Sequence, residues 1–156
     1  LFDFIHRTEG VRPEAEHVIS GPGIGRIYQY LKAKTPTRTC TNEDTQMDPK
    51  DLPSWIASNA ETDPLCGKTM ELFVQAYARF AYNIALTFLP TSGLYLAGGI
   101  VAKNMSLFQK DFLFYRAFLN TPRPFHRKIL ETIPLYIIKD YSVSLLGAAH
   151  AAYSLL

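Results

Sequence analysis

The chain has 156 residues and a formal net charge of +2, with 47% of its residues apolar and 19% charged. That length suits one domain with a real core, taken as residues 1–156, and is too short for two. So small a charge argues against nucleic acid or an anionic membrane as partner, and no apolar run reaches the roughly 18 residues of a membrane span. Cys40 and Cys66 form neither a C-x-x-C motif nor a disulfide framework and read as reduced thiols, which places the chain in the cytoplasm. The opening LFDFIHRTEG has no initiator Met, basic flank or small-residue cleavage site. It is no signal peptide, and the chain is expected to be a piece of a longer polypeptide.

In chain order, Leu1 to Thr8 reads as a short helix ending near Gly10. Glu16 to Ser20 is expected to be extended and to enter, through the glycines at 21, 23 and 25, a helix from about Gly23 to Lys34. Ile24, Ile27, Tyr28 and Leu31 would form its apolar stripe. Thr35 to Lys50 is polar and reads as a surface excursion. Asp48 with Pro49 signals a helix to about Ala60, and Asp63 with Pro64 a longer one to about Phe88. The buried stripe of the longer helix is predicted as Leu65, Leu72, Phe73, Ala76, Phe80, Ile84 and Phe88. Pro90 to Gly93 is a turn, and Leu94 to Ala97 a strand running into Gly98-Gly99. Ser106 to Leu119 is read as one helix with Phe108, Phe112 and Tyr115 on one packing side, and TPRPFHR as a turn or loop. Ile133 to Ile138 is a second strand, and Ser144 to Leu156 a small-residue helix suited to close packing. The sum is a helix-rich α/β chain with few short strands, paired in parallel.

Two glycine turns carry the candidate chemistry. A strand that ends in Gly and opens a helix presents unpaired N–H groups and a positive dipole end to a phosphate. The dinucleotide pattern G-x-G-x-x-G fails at Arg26, and G-x-x-x-x-G-K-[ST] is absent, so a Rossmann site is rejected. On spacing alone the Gly21 turn is either a phosphate contact or a tight turn needing positive φ. The Gly98-Gly99 pair is equally a bare-backbone seat for a flat ring or a common turn. Glu16 by itself reads as a solvated carboxylate. Arg26 stands near enough to reach a phosphate, although a solvated role is the simpler one. His6, His17, His126 and His150 lack metal-ligand spacing, so no metal site is assigned and each is given a structural role. His17 would point away from Glu16 if the segment alternates. Asp140, after the last strand, is assigned a loop or capping role.

Together and in order, AEHVISGPGIGRIYQYL, FVQAYARFAYNIALTFLPTSGLYLAGGIVAKN and IPLYIIKDYSVSLLGAAHAA resemble the C-terminal part of bacterial glucokinases, of the hexokinase-type sugar kinases. The resemblance covers nearly the whole chain. It implies the distal part of the large lobe of an actin/hexokinase-like (ribonuclease H-like) fold. It also implies a parent that transfers the γ-phosphoryl of ATP, with Mg²⁺, to the 6-hydroxyl of glucose. Glu16 would then bind the sugar hydroxyls, Gly21 and Pro22 would lie by the nucleotide, and Gly98, Gly99 and Ile100 would seat its adenosine. The family's catalytic Asp lies on an N-terminal lobe with no counterpart here. No catalytic residue is therefore assigned, and the chain alone is expected to be inactive. Tyr82 and the stretch Thr87 to Ser92 stand where relatives carry Gly, which is expected to alter helix packing. A non-catalytic sugar-binding regulator of the same fold, or a kinase for another hexose, remains the alternative. Apolar surface left by absent strands is expected to drive self-association, with a homodimer as the assembly.

Overall fold

The computed structural model describes residues 1–34, 47–140 and 142–155; Cys40 and most of the Thr35–Lys50 excursion lie outside them. Helix α1 (Phe2–Glu9) stops at Gly10, whose φ of 68° is the left-handed terminator the sequence signals. The extended segment expected over Glu16 to Ser20 does not form. Ala15–His17 is one 3-10 turn, and α2 (Gly21–Lys34) starts almost at once. The cause is local. Glu14 accepts the His17 N–H, and the His17 ring accepts the Glu14 N–H at 3.1 Å, so reciprocal caps close the turn. The α2 stripe is as predicted, with Ile24, Ile27 and Tyr28 buried and Leu31 half-buried.

Helix α3 (Leu52–Ser58) begins a turn later than Asp48 and Pro49 signal, because Asp48 Oδ1 accepts the Lys50 N–H in a separate turn. Helix α4 (Pro64–Phe88), 25 residues long, is the axis of the fold and packs against α2 and α3. Asp63 caps it, accepting the N–H groups of Leu65 at 2.7 Å and Cys66 at 2.8 Å. Asp63→Ala is therefore expected to lower stability by about 1–2 kcal/mol, read as an earlier midpoint in urea unfolding. An unchanged midpoint would show that the cap is dispensable.

The buried arc of α4 differs from the predicted one. Leu65 and Phe73 are inside, but so are Cys66, Thr69, Met70, Val74, Ala78, Ala81 and Ala85. Phe80 and Phe88 are 40% and 71% exposed. Apolar residues surround this helix, so their period does not select an arc; the small alanines face inward where neighbouring helices approach.

After the turn at Pro90–Gly93 comes β1 (Leu94–Leu96), then α5 (Gly99–Lys103) and α6 (Met105–Gln109). A 3-10 turn (Lys110–Phe112) separates α6 from α7 (Leu113–Phe118), so the single helix expected over Ser106 to Leu119 is broken. Asp111 and Phe112 take φ of 49° and 54° there. In one continuous helix Phe108 and Phe114 would point about 120° apart, at about 100° per residue. The break brings their rings to 5.7 Å, and both meet Tyr77 of α4 edge-on. Phe112 and Tyr115 are left exposed, so the predicted three-residue side does not exist. Burial in this cluster pushes the Tyr77 phenol upward.

TPRPFHR is not a loop throughout, since Pro124 sits in the first turn of α8 (Pro124–Glu131). Tyr82 takes up the space beside this helix: its hydroxyl meets His126 Nδ1 at 2.7 Å, and Arg79 lies over its ring. Strand β2 (Leu135–Ile137) pairs in parallel with β1, Tyr95 opposite Tyr136. Asp140 Oδ1 accepts the Ser142 N–H at 2.9 Å, closing a turn in the loop after β2, the loop role and not the cap of the next helix, and hydrogen bonds from Ser142 hold its carboxyl below the usual range. Helix α9 (Val143–Tyr153) buries none of its residues, so the close packing expected of its small residues has no partner among the described residues. No described helix is long and apolar enough to cross a membrane.

Candidate functional site

The tertiary fold sets the N-terminus of α2 beside that of α5. Gly21, Pro22 and Ile24 from the first, and Gly99, Ile100 and Lys103 from the second, line one open cleft of about 510 Å³. Pro49, Lys50 and the first turns of α3 form a further wall. That volume lies in the range of small-molecule sites, about 300–1,000 Å³. Four of the five residues singled out for the nucleotide thus line one cavity; Gly98 is not among its lining residues.

The glycines in this region do different work. None of Gly21, Gly23 and Gly25 has positive φ, so the expectation of a left-handed turn there is overturned. Gly23 is needed for packing, because a Cβ would lie 2.2 Å from the Val18 carbonyl oxygen. Gly98 is needed for its φ of 109°. Gly21 and Gly99 are required by neither. A Cβ on either meets nothing within 4 Å, and both face the cleft.

The donors at α2 are fewer than the sequence pattern implies. Pro22 has no N–H, Ser20 Oγ accepts that of Gly23 at 3.1 Å, and the Ser20 carbonyl accepts that of Ile24. Gly21 keeps the one uncommitted N–H of that turn among the described residues. Ser20 was missed as the cap, although a Ser directly before Gly-Pro is a recognisable start signal. Positive charge in the cleft comes instead from Lys50 and Lys103, and no carboxylate is among its described lining residues.

Glu16 lies outside this cleft, exposed on the 3-10 turn, and its carboxylate has no partner among the described residues. The turn beneath it is well held. The buried Val18 anchors it on the core, the His17 ring closes it, and Arg26 Nη1 donates to the His17 carbonyl at 3.3 Å. Arg26 is therefore not a solvated or phosphate-seeking side chain. Its other nitrogens hold Glu9, Nη2 to Oε2 at 3.0 Å, tying α1 to α2. That hydrogen bonding keeps the Glu9 carboxyl below its ordinary range. Nothing in the sequence pattern signals the Glu9–Arg26 pair or the service of His17 to the turn.

Comparison with known proteins gives concordant results. A family model described as Glucokinase matches residues 1–155. A glucokinase of Nostoc punctiforme is 39% identical over 156 residues, covering 90% of this chain and 44% of that protein. One of Escherichia fergusonii is 33% identical, covering 97% of this chain and 44% of the relative. The crystal structure of glucokinase from Balamuthia mandrillaris in complex with glucose matches with a TM-score of 0.71 over 87% of this chain and 36% of that one. At 22% identity this last likeness shows the fold alone, the helix-rich hexokinase-like architecture. The chain spans less than half the length of the curated relatives it matches.

Proposed function

This chain belongs to the glucokinase family, and on that premise we propose that it is the nucleotide-holding part of an ATP-dependent hexokinase that phosphorylates glucose at the 6-hydroxyl. One observation carries the reading: Gly21 and Gly99 line the same cleft, and neither backbone conformation nor packing demands glycine at either place. Bare backbone at both lets a ligand lie closer than any side chain would permit. The adenosine would rest along Gly98, Gly99 and Ile100. Gly21 and Pro22 would border the phosphates, and Lys50 and Lys103 would neutralise them. Mg²⁺ supplies further neutralisation of the phosphates when bound; its protein ligands would stand apart from the described wall of this cleft, which has no carboxylate. Glu16, unpartnered on a well-held turn, would accept hydrogen bonds from two neighbouring sugar hydroxyls. Phosphoryl transfer asks a protein mainly for such positioning and charge stabilisation. The base that takes the hydroxyl proton would come from outside this chain, in a cytoplasmic, homodimeric parent.

The test is ADP release by the full-length parent with ATP and Mg²⁺ over a panel of hexoses. Turnover that depends on glucose, with other hexoses slower, is the expected result. Turnover with another sugar alone would move the assignment to that hexose. Glucose binding without turnover on any sugar would make the parent a regulator.

A further inference from the structure

A second cleft, of about 630 Å³, lies between α4, α7 and α8 and shares no lining residue with the Gly21–Gly99 cleft. Three arginines line it, one from each of three helices: Arg79 of α4, Arg116 of α7 and Arg127 of α8. No Asp or Glu is among its described lining residues; Gln75, Tyr115 and Asn120 supply the remaining polar groups. All three side chains are exposed and only Arg127 is paired with a carboxylate, that of Glu131, so the cleft is left net positive toward solvent.

Two of the three arginines make bonds that use only part of their donor set. Arg79 Nη1 donates to the Asn120 carbonyl at 3.0 Å, and its guanidinium is steadied 4.7 Å above the Tyr82 ring. Arg127 Nε donates to Glu131 at 2.9 Å, leaving its terminal nitrogens uncommitted in that pair. A guanidinium has five N–H donors, so each retains most of its donor capacity. Arg116 makes no hydrogen bond or ion pair among the described residues. Forks of this kind suit a planar or tetrahedral oxyanion.

We propose that the cleft bounded by Arg79, Arg116 and Arg127 is a binding site for a phosphomonoester of a small polyhydroxylated compound, separate from the nucleotide cleft. The dianion meets the guanidinium groups. The cavity is larger than a phosphate requires; the Asn120 amide, the Tyr115 hydroxyl and the Gln75 side-chain carbonyl, whose amide nitrogen donates to Glu71, match hydroxyl groups on a ring-sized remainder.

The test is calorimetric titration of the full-length parent with ribose 5-phosphate, inorganic phosphate and ribose, repeated on Arg116→Gln and Lys103→Gln. Ribose 5-phosphate is expected to bind more tightly than inorganic phosphate, and ribose not at all. Arg116→Gln is expected to weaken the phosphate ester about tenfold, the loss of one charge-assisted contact, whereas Lys103→Gln leaves it unchanged. Arg116 is exposed and unpartnered, so the variant keeps the fold, checked by circular dichroism. Equal binding by wild type and Arg116→Gln, no binding of either phosphate, or an equal loss in Lys103→Gln each overturns the proposal. None of these outcomes bears on hexose-dependent ADP release, so the two readings fail separately.

Discussion

Gly23→Ala is expected to destabilise the chain by about 2–3 kcal/mol, the upper part of the usual range for overpacking. The added methyl would meet the Val18 carbonyl oxygen at 2.2 Å, with the carbonyl carbon and Cα of Val18 close behind. Backbone cannot swing aside as a flexible side chain can. Val18 is itself fixed, being 5% exposed and hydrogen-bonded through its N–H to Ala15. Relief must therefore come from moving the Glu16 turn away from α2. In thermal unfolding the midpoint should fall by roughly 5–10 °C. Gly21→Ala, two residues earlier in the same helix, is the contrasting case. Its methyl meets nothing within 4 Å and its φ is ordinary, so stability should hold or rise slightly while nucleotide affinity falls. Equal midpoints for the two variants would mean that the Val18 contact relaxes freely. Unchanged nucleotide affinity in Gly21→Ala would remove the α2 N-terminus from the site.

The second large effect is expected from Glu16→Gln in the full-length parent. The substitution keeps shape and removes charge. Two hydrogen bonds from sugar hydroxyls to an ionised acceptor, each worth about 1.5–3 kcal/mol, would be replaced by weaker or mismatched ones. The glucose kcat/KM should drop by about 10²–10³-fold, larger than any change in the ATP KM. Stability should stay within about 0.5 kcal/mol, because the Glu16 side chain is exposed and has no partner to lose. Preserved kcat/KM would show that Glu16 does not touch the sugar.

How much of this was legible beforehand follows the reach of each signal. Gly10 as a helix terminator, the α2 stripe and the Asp63-Pro64 start of α4 were all readable, because cap, stripe and stop act within a few residues. The reciprocal bonds between Glu14 and His17 are just as local, yet they were hidden by an apolar run at Val18 and Ile19 that looks extended. The inward arc of α4 was not readable. Phe80 and Phe88 are as apolar as Phe73, and only the neighbours of the helix distinguish them. The break at Asp111 and Phe112 likewise has no local cause, since it exists to bring Phe108 and Phe114 together on Tyr77. At the site, the residue types were visible in the pattern. Which glycines serve packing and which face a cavity was not.

By itself the sequence determined the helix-rich α/β class, the parallel pairing of its two strands, the glucokinase family and the residues from which a site can be built. Only the tertiary structure decided that Gly21 and Gly99 share a cleft, that Arg26 is spent on Glu9 and the His17 carbonyl, and that three arginines from separate helices line one cleft. Caps and periods are short-range interactions written in neighbouring residues. A cleft, by contrast, is made by helices brought together through burial of apolar surface, a force without direction that leaves no local mark on the residues it juxtaposes.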